Sequence, residues 1–267
     1  MPNSPRAPME LDREPSEATL GQAADWLSLH CHENLGAEIL LRERTKRPLA
    51  LAHIARRAGA FCGVSVLSVS GGWYLEASDA ETAVALVEAM PIDRPKRLTT
   101  VAAVRDWTLP AVEARWKIAR HHRLLSMTCV QADGGAGRWA TEADLPMLEE
   151  YQRLYNAERR TTTQAKWNDA IARKQVAVLE DDGRIVAVVK RSGETARYAC
   201  IGETFTFPDS RKKGYGKKLT AFMVRRLLDE CPRVHCIVED DNASALALYR
   251  ALDFGEIGEC FIDYFGA

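Results

Sequence analysis

Apolar and polar positions in the second half of the chain alternate between two rhythms, short apolar runs and a period near 3.6. Residues 124–130 form an apolar run that predicts a strand, and Thr141 with Asp144 makes a capping pattern that opens a helix. A second helix is expected over 165–173. The runs 176–179 and 185–189 flank Asp181-Asp182-Gly183, which reads as a hairpin. An extended run at 198–207 ends in Pro208-Asp209-Ser210. Leu219, Phe222, Met223 and Leu227 then recur at helical spacing within 217–228. A buried strand is expected at 234–238, a helix capped by Asn242 at 243–252, and a closing strand at 258–265.

The first half repeats this order less clearly. Residues 18–32 predict a helix with Leu20, Ala23, Ala24, Leu27 and Cys31 on one face, followed by a short helix at 35–41. Strands are expected at 49–54, 61–69 and 73–76, with Gly71-Gly72 turning between the last two. Asp79 caps a helix at 79–90, and another is expected at 109–119. Residues 1–16, rich in proline and charge, are expected to be a disordered tail.

The chemistry concentrates between the strand at 198–207 and the helix that follows. Arg211-Lys212-Lys213-Gly214-Tyr215-Gly216 joins a strand to a helix start, where unsatisfied backbone N–H groups and the helix dipole favour an anion. Glycines allow close approach of a phosphate, and Lys212, Lys213, Lys217 and Lys218 add positive field, so a diphosphate ligand is expected. A P-loop is excluded because Gly216-Lys217 is followed by Lys218 rather than a hydroxyl residue. The dinucleotide fingerprint is excluded because Leu219 replaces its third glycine.

The pattern that fits, Arg-x-x-Gly-x-Gly, resembles the coenzyme A loop of the GNAT-type N-acetyltransferase superfamily. Asn242-Ala243-Ser244-Ala245-Leu246-Ala247-Leu248-Tyr249, running on to Leu252-Asp253-Phe254, resembles its second signature. The resemblance extends in order over 124–265, with Asp253 and Ser210 as departures. It implies an α/β (α+β) chain of two GNAT-like mixed-sheet domains with helices on both faces. Residues 17–123 would be a degenerate, cofactor-free half, as in tandem acetyltransferases, and 124–267 the catalytic domain.

The implied reaction moves an acetyl group from acetyl-CoA to a primary amine by direct attack. The implied contacts to coenzyme A are Thr204, Phe205, Thr206, Arg211, Lys212, Lys213, Gly214, Tyr215, Gly216, Lys217 and Asn242. Phe205 or Thr206 would supply a backbone N–H to the developing oxyanion. Deprotonating a lysine-like amine at pH 7 costs roughly 4–5 kcal/mol. Glu203 is the candidate base, or else a solvated edge carboxylate. Tyr249 is the candidate hydrogen-bond donor to the departing sulfur, or else an interior helix tyrosine. The acceptor is expected near Tyr151, Tyr155, Trp167 and a loop at Phe265, although these aromatics read equally as core. A non-catalytic coenzyme A sensor or scaffold, and a longer acyl donor, remain alternatives, and a homodimer is left open.

Composition narrows the field. At 267 residues the chain suits two domains, and a net charge of −1 argues against a nucleic-acid or anionic-membrane partner. No apolar run is long enough to span a bilayer, and the N-terminus lacks the apolar core of a secretory signal. Seven cysteines without Cys-x-x-Cys pairing, several inside expected strands, suggest free thiols in a reducing cytoplasm. His30-Cys31-His32 does not suit a metal, because helical positions two apart face away from each other. No metal site is expected.

Overall fold

The computed structural model describes residues 7–30, 35–159, 161 and 163–266; Cys31 and His32 of the His-Cys-His motif lie outside them. The chain forms two compact units. The first runs up to Ser126 and takes back the chain from Ile257 onward, and the second is Met127–Glu256. The expected boundary at 123/124 lies close to the first crossing. The closing strand differs from expectation, because most of it belongs to the first unit.

The first unit contains β1 (Met9–Asp12), α1 (Glu17–His30), α2 (Leu35–Arg42), β2 (Leu49–Arg57), β3 (Ala60–Ser68), β4 (Gly72–Ala77), α3 (Ala80–Ala89), β5 (Arg97–Val101), α4 (Ala102–Glu113) and most of β6 (Ile118–Cys129). The second contains β7 (Arg138–Trp139), α5 (Leu145–Arg159), α6 (Trp167–Ala172), β8 (Val176–Asp181), β9 (Arg184–Glu194), β10 (Ala199–Thr206), α7 (Tyr215–Leu228), β11 (Val234–Glu239) and α8 (Ala243–Arg250). The last strand, β12 (Gly255–Phe265), pairs antiparallel with β5, Cys260 opposite Val101 through Tyr264 opposite Arg97. The Arg105 guanidinium fastens it with two 3.1 Å hydrogen bonds to the buried Asp263 carboxylate.

Both units share one plan. Two helices precede an antiparallel meander (β2-β3-β4 and β8-β9-β10), then a helix, then a strand parallel to the last strand of the meander. In the first unit, alternation along the strands sends Ala52, Ile54, Val64 and Val66 to a core under α1 and α2. Ala55, Leu67, Trp73 and Leu75 go to the opposite core under α3 and α4. Helices therefore cover both faces of the sheet, as expected for this fold class.

Three expectations need correction. Met9–Asp12 is a strand paired with β2, not part of a disordered tail; Met9 and Leu11 pack on the first-unit core despite their polar surroundings. The helix expected at 109–119 runs over Ala102–Glu113, with Pro110 in its last turn rather than near its start. Val101 offers no side-chain cap, so that end carried no signal. Phe265 lies not in a loop but in β12 of the first unit, where it stacks on Trp116 at 5.4 Å.

Candidate acyl-donor site in the second unit

Gly214 ends the 208–214 turn with φ +79°, a left-handed conformation natural to glycine, and stands at the N-cap of α7 without any side-chain cap. The first bond of the helical ladder runs from Lys218 N–H to the Gly214 carbonyl at 3.1 Å. The N–H groups of Tyr215, Gly216 and Lys217 stand ahead of that ladder, at the positive end of the helix dipole. Lys212, Lys213 and Lys217 are exposed beside them.

Gly216 also meets a packing requirement that its motif does not show. A Cβ there would lie 3.0 Å from Thr206 Oγ1 and 3.2 Å from Leu248 Cδ1. The missing side chain lets the first turn of α7 pack against β10 and α8. At Gly214 a Cβ meets nothing within 4 Å, so its requirement is the positive φ alone.

The second feature of the site is an unpaired strand edge. β10 pairs with β9 as far as Thr206, but with β11 only at Ala199–Val234 and Cys200–His235. From Ile201 to Thr206 the β11 side of β10 carries no ladder among the described residues. Phe207 N–H donates to the Val186 carbonyl of β9 at 3.0 Å. Amide directions alternate along a strand, so Phe205 N–H also faces β9 and Thr206 N–H faces the open edge. Of the two expected oxyanion donors, Thr206 has the better aim. The Phe205 ring is buried against Tyr151, Tyr155 and Phe207.

A bulge interrupts β10 just before this stretch. Gly202 pairs with Lys190 and Phe205 with Val188, so Glu203 and Thr204 together face Val189. Glu203 has φ +52°. Its carboxylate is not a solvated edge group: Oε2 accepts from Lys190 Nζ at 2.8 Å and from the Tyr151 hydroxyl at 3.2 Å. The same hydroxyl reaches the Glu203 carbonyl at 3.0 Å.

Tyr249, from α8, is buried, with its hydroxyl 3.3 Å from Thr204 Oγ1. Burial first, and Cys236 second, push its phenol above the ordinary range, so it stays protonated. Asn242 caps α8 through Oδ1, which accepts from Ala245 N–H at 3.2 Å and Ser244 Oγ at 3.0 Å, leaving only its amide nitrogen for other partners. Arg211 is exposed and folds back along the surface. It donates to the Thr206 carbonyl at 3.1 Å, pairs with Glu158 at 2.5 Å and lies over the Phe205 ring. Tyr215 donates to Asp181.

Of the aromatics expected to meet an acceptor, Tyr151 is core and fully buried. Tyr155 and Trp167 are half-buried. Burial, followed by the Glu203 charge, pushes Tyr155 up to about 12. Sequence reading missed the Lys190 and Tyr151 contacts to Glu203, which come from separate elements and leave no local pattern. It also missed a strap at Gly134-Gly135-Ala136-Gly137, where Ala136 N–H donates to the Lys218 carbonyl of α7 at 3.0 Å. A Cβ on Gly135 would sit 2.3 Å from the Phe222 backbone nitrogen, and the glycine run is the signal that could have revealed it.

The corresponding helix of the first unit, unlike α7, carries a side-chain cap. Asp79 caps α3, accepting from Thr82 N–H at 3.0 Å, and Glu81 stands in the first turn. Carboxylates thus stand at the positive end of this helix, where the second unit has none. No group of metal-ligating side chains occurs among the described residues. No helix among them is long and apolar enough to cross a membrane.

Residues 142–254 match the acetyltransferase (GNAT) family. No curated protein sequence is similar to the chain. In fold, the chain is similar to an acetyltransferase of the GNAT family from Colwellia psychrerythraea, with a TM-score of 0.66, 12% identity, and 96% of this chain and 100% of that one covered. It is similar to a GCN5-related N-acetyltransferase from Sphaerobacter thermophilus, with a TM-score of 0.64 and 16% identity over 96% and 95% of the two chains. A tandem GNAT protein from the clavulanic acid biosynthesis pathway aligns with a TM-score of 0.57 and 13% identity over 97% and 99%.

Proposed function

We propose that the chain, whose residues 142–254 match the acetyltransferase (GNAT) family and whose fold is similar to that of a tandem GNAT protein, transfers an acetyl group from acetyl-CoA to a primary amine, using the second unit alone. The observation that carries this reading is the uncapped N-terminus of α7 lying beside the unpaired edge of β10. The first suits a diphosphate, and the second suits an extended amide chain that completes the strand. The N–H groups of Tyr215, Gly216 and Lys217 would hold the diphosphate, with Lys212, Lys213 and Lys217 adding field. Thr204 and Thr206 would hydrogen-bond the pantetheine. The donor supplies an activated thioester carbonyl.

The protein's own groups would then do three things. Thr206 N–H donates to the acyl oxygen as negative charge develops on it. Glu203, whose Oε2 lies 2.8 Å from Lys190 Nζ, accepts the proton that the attacking amine must lose. Tyr249 donates a hydrogen bond to the departing sulfur and keeps its proton. Handing that proton to a thiolate would cost more than about 2 kcal/mol, since burial raises the phenol above its ordinary value.

Acetyl-CoA consumption measured across a panel of primary amines tests the proposal. Amine-dependent release of free thiol supports it. Coenzyme A binding without release under any amine would favour a sensor or scaffold. Release only with longer acyl donors would change the substrate and not the class.

A further inference from the structure

Glu203 lies in the left-handed region with φ +52°, at the one bulge between Gly202 and Phe205 of β10. A non-glycine residue there is strained, and it persists only where neighbouring groups over-determine its conformation. Two groups from different elements do so here. The Tyr151 hydroxyl, from α5, sits 3.0 Å from the Glu203 carbonyl oxygen and 3.2 Å from its Oε2, sharing one proton between the main chain and the side chain of the same residue. Lys190 Nζ, from β9, sits 2.8 Å from the same Oε2. Lys190 is the cross-strand partner of Gly202, so the bulge itself brings its side chain within reach. Its ammonium also lies 5.5 Å from the centre of the Trp167 ring, which holds it on the α6 side. Tyr151 is fully buried and wedged against Tyr155, Trp167 and Phe205, so its hydroxyl has little freedom to turn away.

We propose that Tyr151 and Lys190 are positioning residues for acyl transfer, clamping Glu203 in its left-handed bulge and so fixing the direction in which the following amides of β10 meet the acyl group. The bulge decides which face of β10 each later residue presents. Released, the strand can relax toward regular pairing with β9, and Thr206 N–H loses its aim at the open edge. The clamp rests on the acetyltransferase reading above. It adds that Glu203 serves the geometry of the bulge as well as a proton, and the two roles separate experimentally.

The experiment compares wild type with Tyr151→Phe, Lys190→Met and Lys190→Arg in the full chain. Coenzyme A binding is followed by calorimetry. Acetyl-CoA turnover is followed with two acceptors, a lysine-like primary amine and hydroxylamine, whose nitrogen is already neutral near pH 7 and needs no base. The groups that face the Glu203 carboxylate are Tyr151 and Tyr155 of α5 and Lys190 of β9, so pH profiles are recorded for each variant. The clamp requires Tyr151→Phe and Lys190→Met to lose roughly tenfold to a hundredfold in kcat with both acceptors, at nearly unchanged KM for acetyl-CoA. Lys190→Arg, which keeps the ion pair, recovers most of the loss. Full turnover with hydroxylamine, or a loss confined to KM, overturns the clamp and leaves the acetyltransferase reading intact. A wild-type chain that neither binds coenzyme A nor consumes acetyl-CoA overturns the reading, and the clamp with it. If Tyr151→Phe does not fold, the Lys190→Met and Lys190→Arg pair decides the question alone.

Discussion

Thr204 Oγ1 and the Tyr249 hydroxyl lie 3.3 Å apart, tying α8 to the strand edge that β11 leaves unpaired. This contact puts the only phenol of the α8 signature beside the bulge rather than in a remote core, although Tyr249 is as buried as a core residue. In the proposed reaction, removing that hydroxyl would take one hydrogen bond from a developing thiolate. Tyr249→Phe should lower kcat about tenfold to a hundredfold, the equivalent of about 1.5–3 kcal/mol, while coenzyme A affinity changes little. Because burial raises the phenol, its deprotonation should impose no alkaline fall in turnover below about pH 10. Steady-state kinetics from pH 6 to 10 checks both statements.

The two glycines of the loop should fail in different ways. Gly214→Ala meets no neighbour but must adopt φ +79°, and should cost about 1–2 kcal/mol of stability with binding weakened rather than lost. Gly216→Leu collides with Thr206 and Leu248, forcing α7 away from β10, and should abolish coenzyme A binding. Thermal melts paired with calorimetry distinguish the two.

Gly135 is held against the backbone of α7. Gly135→Ala should destabilise the second unit by about 2–3 kcal/mol, because the contact is with main chain, which has no rotamer to give. Denaturant titration gives the value, and turnover of the protein that remains folded should be near wild type.

Asp144 shows where low pH acts. Its carboxylate accepts from Arg138 at 2.7 and 2.8 Å, and this holds it below its ordinary value of 3.8. A carboxylate depressed in the folded state contributes stability above its unfolded value and loses it as pH falls through the folded value. Asp144→Asn should therefore be less stable than wild type at pH 6, with the gap closing below about pH 4. Urea unfolding at the two pH values tests the sign.

Much of this was legible in the sequence because its signals are local. The glycine turn, the period of 217–228, the Asn242 cap and the Asp-Gly hairpin each occupy a few consecutive residues, and each element stands where it was expected. What escaped depends on distant partners. β1 is a four-residue edge strand recognisable only through its pairing with β2, and β12 returns to β5 across more than 150 positions. The packing requirement at Gly216 was invisible for the same reason. A motif says that a side chain is unwelcome, while only the fold says that Thr206 and Leu248 are what exclude it.

The first unit should not bind the donor, since Asp79 already occupies the N-terminus of α3. Calorimetry should give one coenzyme A per chain, and Asp79→Ala should cost about 1 kcal/mol of stability without opening a second site.

A crystal structure of the full chain grown with coenzyme A tests the central claim most directly. The account requires the diphosphate within hydrogen-bonding distance of the Tyr215, Gly216 and Lys217 amides, and the pantetheine running along β10 from Ile201 to Thr206. A diphosphate held elsewhere, or amides of α7 found bonded to the protein itself in the complex, would contradict it.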